Sequence, residues 1–230
     1  MQIVLIDAEK IFNLNLPSAI SGKYWIEDLQ TKGEAKKVLA IEADAQKKTW
    51  VIKKNGNIQG FKAEERLVDC IWLEAGSIYS VYLGTTDVHE AYLMVEEEND
   101  SFLHFMKYRV KENAMITIGR AANQHVQLNN AMVSGEHLKL SHQNGAWAIL
   151  DAPGKNGTYV NSRKIDGAVA IRPGDVINVL FYKIVIGYDF IAINNPNHTV
   201  KIAKDLLTAI EIPKKESKTS IILEEKGYFY

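Results

Sequence analysis

The sequence predicts an all-β protein: two tandem β-sandwiches followed by a short C-terminal helix and a linker. Three observations predict it. Apolar residues alternate with polar ones over short runs, as in "VLAIEAD", where Leu39 and Ile41 oppose Val38, Ala40 and Glu42 across the pleat. Turn residues such as Asn-Gly and Pro-Gly separate these runs at regular intervals. The pattern also occurs twice along the chain.

The repeat has three anchors in the same order. "VLAIEADAQKKTWVIKKNGNIQG" from Val38 answers "HLKLSHQNGAWAILDAPGKNGTYVN" from His137, so Trp50 answers Trp147. Lys54-Asn55-Gly56 answers Lys155-Asn156-Gly157. Gly76 in "CIWLEAGSIYSVYLG" answers Gly174 in "AVAIRPGDVINVLFYKIVIG". The displacement is about one small-domain length, roughly 100 residues. The expected domains are residues 1–98, 99–196 and 197–230.

The acidic stretch "EEENDS" joins the two copies. "VINVLFYKIVIGY" is rich in β-branched residues and interrupted by Lys183, which fits a strand pair or one long buried strand. Beyond Asn195-Pro196, Ile202, Leu206, Leu207 and Ile210 fall on one helical face, predicting the short helix. "PKKESKTS" then reads as a flexible linker.

Composition narrows the function. The 230 residues carry a formal net charge of −1, which gives no reason to expect nucleic acid or an anionic membrane as the main partner. One cysteine, Cys70, cannot close an internal disulfide, and a reducing compartment is expected. The start "MQIVLIDAEK" has no basic segment before its short apolar run, so no signal peptide is expected, and no run suits a membrane helix. Six histidines without zinc spacing predict no metal site, and "GKNGT" is not a phosphate-binding Walker loop. No cofactor and no nucleophile–base pair are expected, hence no catalysis by this chain.

One stretch concentrates unusual groups at strand ends. "ITIGRAANQHVQLNNAMVSGEHLKL" carries Gly119-Arg120 at its first turn and Ser134-x-x-His137 at its second. Asn156-Gly157-Thr158, Asn161 and Pro173-Gly174-Asp175 follow in order. On this set the second copy resembles the forkhead-associated (FHA) domain, a β-sandwich whose loops at one end bind phosphothreonine peptides. The resemblance implies a phosphate site of Arg120, Ser134, Gly135, Lys155 and Asn156. Gly119, His137, Gly157, Thr158 and Asn161 would support it.

Those residue types suit the ligand. A phosphothreonine bears about −1.5 to −2 charges and three acceptor oxygens. Arginine offers a planar fork of donors that never loses its charge. Ser134 offers a hydroxyl donor, Lys155 adds charge, and the Asn156 amide can bond a peptide backbone. His137 would hold the serine loop. Taken singly, each has a plainer reading: Arg120 as a strand-end charge, Ser134 as a turn residue, Asn156-Gly157 as a hairpin turn. Trp50 and Trp147 are expected as core anchors.

Two departures matter. Gly135 and Glu136 follow the serine where many FHA domains have a basic or amide residue, and Glu136 could repel phosphate. In the first copy Ile26-Glu27-Asp28 answers Ile118-Gly119-Arg120, and Ala35 to Val38 lacks both serine and histidine, so that copy is expected to keep the scaffold without the site.

A degenerate FHA-like copy followed by a better one resembles the N-terminal cytosolic region of EssC-type proteins, the FtsK/SpoIIIE-like ATPases of type VII secretion in Gram-positive bacteria. That resemblance implies a non-catalytic interaction module at the cytoplasmic face of the cell membrane, with ATP binding elsewhere in the full-length protein. The implied partner is a phosphothreonine-containing protein or the kinase-like membrane component of the same apparatus. The alternative is phosphate-independent docking of the pair onto another secretion component.

Overall fold

The computed structural model describes residues 1–6, 11–29, 35–54, 58–63, 66–83, 89–96, 105–151, 155–203 and 205–209. They divide into two compact units, Met1–Asp100 and Ser101–Glu211. Both are built of strands. The turn at residues 55–57, the acidic join at 97–101 and the linker at 213–220 lie outside the described residues.

The first unit contains β1 (Gln2–Ile6), β2 (Ile11–Asn15), β3 (Lys23–Leu29), β4 (Ala35–Asp44) and β5 (Thr49–Lys53). It continues with β6 (Ile58–Ala63), β7 (Arg66–Val68), β8 (Cys70–Trp72), β9 (Ile78–Leu83) and β10 (His89–Glu96). One sheet has the order β2-β1-β10-β9-β6-β7 and the other β3-β4-β5-β8. Their inner faces meet in a core that includes Leu5, Leu39, Ile41, Trp50, Ile52 and Leu93. Trp50 is 1% exposed and meets Tyr24 edge-on, with ring centroids 5.3 Å apart. Burying each large apolar side chain contributes about 1.5–3 kcal/mol, which outweighs any weak local preference of these short strands.

The second unit starts with β11 (Phe105–Val110), β12 (Ala114–Gly119), β13 (Val126–Leu128), β14 (Leu138–Gln143) and β15 (Ala146–Asp151). Then come β16 (Thr158–Val160), β17 (Arg163–Ile165), β18 (Val169–Ile171) and β19 (Val176–Val179). It ends with β20 (Tyr182–Ile186), β21 (Phe190–Asn194), β22 (Val200–Ile202) and β23 (Leu207–Ala209). The sheets run β17-β16-β19-β20-β21-β11-β23 and β18-β15-β14-β12-β13-β22. Ile116, Ile118, Leu138, Leu140 and Trp147 from one sheet share a core with Ile177, Ile184, Ile191 and Ile193 from the other. The all-β sandwich predicted from the alternation is therefore the observed fold class. "VINVLFYKIVIGY" is a strand pair, β19 and β20, turning at Leu180 with φ 55°.

Of the repeat anchors, Asn55-Gly56 lies outside the described residues, while Gly76 and Gly174 make like contacts. Ile26 pairs with Leu39 as Ile118 pairs with Leu138. Gly76 donates to the Val95 carbonyl and Gly174 to the Ile186 carbonyl, each at 2.7 Å, and both glycines have positive φ. A side chain there would be strained, so the turn needs glycine. The units also differ. In the first, β10 pairs directly with β1, whereas in the second β21 stands between β20 and β11.

The expected C-terminal helix is not observed. Val200–Ile202 pairs with β13, and Leu207–Ala209 pairs with β11, each extending a sheet by one strand. Ile202, Leu206 and Leu207 fit one helical face, but they fit two strands joined by a turn equally well. Pairing satisfies the backbone groups of two sheet edges and buries Leu207, which a lone helical turn would not do. Ile210 lies outside the described residues. Among the described residues no helix is long and apolar enough to cross a membrane.

Candidate functional site

Three loops of the second unit converge at one end of its sandwich. Antiparallel pairing of Ile118 with Leu138 places the chain leaving β12 beside the chain entering β14. Pairing of Lys139 with Asp151 brings the end of β15, and so the approach to β16, to the same end. Residues 119–121, 132–137 and 155–157 are thereby neighbours.

Backbone contacts fix the first two loops against each other. Arg120 N donates to the Ser134 carbonyl at 2.9 Å, and Ala121 N to the Gly135 carbonyl at 3.0 Å. The approach at Gly119 is so close that a Cβ there would stand 2.3 Å from the Gly135 oxygen. Gly119 is thus required by a passing backbone. Gly135 faces open space, with nothing within 4 Å of where its Cβ would be.

Arg120 is exposed, and its Nε donates to the Val133 carbonyl at 3.1 Å. Among the described residues its Nη groups have no other partner, so one edge of the fork is anchored and the other is available. Asn156, also exposed, donates from Nδ2 to the Met132 carbonyl at 2.6 Å, leaving Oδ1 to accept. Ser134 Oγ accepts from Lys155 N at 3.2 Å. A hydroxyl has one proton to give, and this contact leaves it unspent. Lys155 is exposed with its ammonium unpaired among the described residues.

His137 is fully buried beneath these groups. Ser134 N lies 3.3 Å from its Nδ1, and its Nε2 is 3.2 Å from the Gly157 carbonyl. The neutral ring protonated on Nε2 satisfies both contacts: Nδ1 accepts and Nε2 donates. Burial holds its pKa below the ordinary histidine value, with the Gly157 carbonyl opposing in part. His137 therefore ties the serine loop to the Asn-Gly loop as an uncharged strut.

The remaining residues of the motif are structural in their contacts. Gly157 has φ +78°, and Thr158 is wholly buried at the start of β16. Asn161 lies apart from the convergence. Its Nδ2 donates to Asp175 Oδ1 at 2.7 Å and its Oδ1 accepts from Val176 N at 3.0 Å. It fastens the turn after β16 to the Pro-Gly-Asp turn. Glu136 pairs with Lys139 at 2.9 Å, so its charge is compensated.

The corresponding strands of the first unit differ. Beyond Ile26 the strands β3 and β4 keep pairing, through Glu27 with Lys37, Asp28 with Lys36 and Leu29 with Ala35. The backbone that opens into loops after Gly119 is there committed to a ladder. Among the described residues no cluster of three or more potential metal ligands occurs.

Residues 116–179 match the family model of the FHA domain. A segment of 66 residues is 30% identical to an FHA domain-containing protein of Arabidopsis thaliana, covering 28% of this chain and 17% of the relative. A segment of 74 residues is 28% identical to the glycogen accumulation regulator GarA of Mycobacterium tuberculosis, covering 32% of this chain and 45% of the relative. The matches thus span less than half the length of these relatives. Among solved structures, the N-terminal FHA domain from EssC, a component of the bacterial type VII secretion apparatus, aligns at 16% identity with a TM-score of 0.37. It covers 90% of this chain and 96% of that one. Mycobacterium tuberculosis EmbR in complex with a low affinity phosphopeptide aligns at 22% identity with a TM-score of 0.33, covering 36% and 24%. Residues 116–179, within the second unit, are thus similar to FHA domains.

Proposed function

We propose that the second unit reads phosphothreonine on a partner protein. Arg120 Nη groups and the Ser134 hydroxyl hold the phosphate, Lys155 adds charge and a contact, and Asn156 Oδ1 accepts from the peptide backbone. The observation that supports this reading best is the arrangement around Ser134. Its carbonyl, hydroxyl oxygen and amide are held by Arg120 N, Lys155 N and His137, leaving its proton and the two cations outward. Fixed donors aimed at one anion cost little reorganisation when it binds. The Glu136–Lys139 pair answers the concern that Glu136 repels phosphate.

The chain is, in this reading, the N-terminal cytosolic part of an EssC-type secretion ATPase. The first unit is then a second copy of the fold without the site, the second domain runs past 196 to include β22 and β23, and a linker leads on toward membrane and ATPase parts. The order of a degenerate copy before a better one supports it. The partner is a phosphorylated protein of that apparatus, with its kinase-like membrane component as the leading candidate. A second reading, phosphate-independent docking, is favoured by the continued β3–β4 ladder, because a copy that keeps pairing where the other opens into loops offers sheet surfaces for binding.

Calorimetric titration of the chain with a phosphothreonine peptide library tests the proposal, with the unphosphorylated library as control. Phosphate-dependent heat supports the reader. Binding of an apparatus component that is indifferent to phosphate would replace it with the docking reading.

A further inference from the structure

The hairpin of β16 and β17 brings a cation to the site that no motif contains. Tyr159 and Lys164 are direct cross-strand partners, so their side chains share one face. Both lean on Gly157. Where a Gly157 Cβ would stand, Lys164 Cε is 2.9 Å away and Tyr159 Cε2 is 3.6 Å away. The missing side chain makes room for the lysine stem, and the ammonium lies one bond beyond Cε. Gly157 is the residue whose carbonyl meets His137 and which follows Asn156, so this ammonium borders the third loop of the site. Lys164 is exposed and makes no ion pair among the described residues, and neither does Asp166 two residues on.

We infer that Lys164 is a specificity-determining residue of the same site, selecting phosphothreonine peptides with an acidic side chain in the flank that runs over the β16–β17 hairpin. The inference rests on the phosphothreonine reading above. A peptide bonded at Asn156 Oδ1 must leave the site beside Gly157, where the half-buried Tyr159 ring forms a floor and Lys164 the only cation of the hairpin directed at that glycine among the described residues. An acid there meets an uncompensated charge, while a lysine there meets repulsion.

The test uses the whole chain and phosphothreonine peptides carrying Glu or Gln in turn at each flanking position. Wild type, Lys164→Gln, Lys164→Arg and Arg120→Ala are titrated in parallel. At one or more flanking positions wild type binds the Glu peptide about two- to fivefold more tightly than the Gln peptide, as an exposed charge pair allows. Lys164→Gln erases that preference while still binding neutral phosphopeptides, and Lys164→Arg keeps it. If wild type shows no acidic preference, or Lys164→Gln retains it, while Arg120→Ala still weakens binding about 10-fold or more, Lys164 has no such role and the phosphate site stands. If no phosphothreonine peptide binds wild type, both readings fall together.

Discussion

The His137 ring and the Gly157 carbonyl meet at 3.2 Å across twenty residues of sequence, and this contact joins the serine loop to the Asn-Gly loop. Because the ring has 0% exposure, neither of its nitrogens can exchange its partner for water. Replacing His137 by Ala strands the Ser134 amide and the Gly157 carbonyl. Each unsatisfied buried group costs about 1–3 kcal/mol. His137→Ala should lower the denaturation midpoint of the second unit by an amount worth roughly 2–6 kcal/mol and weaken phosphopeptide binding as well. Chemical denaturation followed by tryptophan fluorescence reads the first effect; calorimetry on the folded fraction reads the second.

The same ring predicts a pH dependence. Its pKa is lowered in the folded state, so between that value and the unfolded value near 6.5 the unfolded chain binds more protons. Stability from this group is present in full above about pH 6.5 and falls as pH drops through the folded pKa. Protonation also puts a hydrogen on Nδ1, facing the Ser134 N–H that it must accept from. Denaturation midpoints measured from pH 8 down to 5 should decline below about 6.5 in wild type, with a smaller decline in His137→Gln. Equal slopes in both proteins would assign the decline to other groups.

Arg120→Ala should separate binding from folding. The side chain is exposed and contributes one bond, to Val133 O, so stability should change little. Loss of charge-assisted bonds to phosphate should cost about 1.5–3 kcal/mol, or roughly 10- to 150-fold in affinity. Raising salt should weaken wild-type binding more than that of the variant, since screening acts on the charge that the variant lacks. Unchanged affinity would mean that phosphate does not sit at this arginine.

Two adjacent-loop glycines should respond in opposite ways. At Gly119 a methyl group would meet backbone, the Gly135 oxygen, which cannot swing aside as a side chain can. Gly119→Ala should therefore destabilise by about 1–3 kcal/mol and displace Arg120 from Ser134. At Gly135 the space is empty, and Gly135→Ala should be tolerated within about 0.5 kcal/mol. Thermal denaturation of the pair of variants decides it.

These contrasts mark how far the sequence could be read. Alternation set Leu39 and Ile41 apart from Val38, Ala40 and Glu42, and the fold buries Leu39 and Ile41 completely, because a one-residue slip would turn them to the other face. Gly76 and Gly174 were legible because positive φ restricts the residue type. The strands β22 and β23 were not, since Ile202, Leu206 and Leu207 satisfy both a helical and an extended period, and only the open sheet edges chose between them. At the site, Arg120, Ser134 and His137 stood out as residue types. The carbonyls of Met132 and Val133 that hold Asn156 and Arg120 carry no sequence signal, because every residue has one. Lys164 was hidden for another reason: only the cross-strand register with Tyr159 brings it to Gly157.

Asn161 provides the last discrimination, between support of the fold and contact with ligand. Its amide bridges Asp175 and the Val176 amide, and its backbone holds φ 48°, a conformation that Asn tolerates better than most residues. Asn161→Ala loses two hydrogen bonds and meets strain. The expected destabilisation is about 1–3 kcal/mol. The bonds tie β16 to the turn before β19, not to the loops at 119–121 or 132–137. Phosphopeptide affinity of the folded variant should therefore stay within about twofold of wild type. A large loss of affinity at unchanged stability would instead make Asn161 a ligand contact and extend the site toward the Pro-Gly-Asp turn.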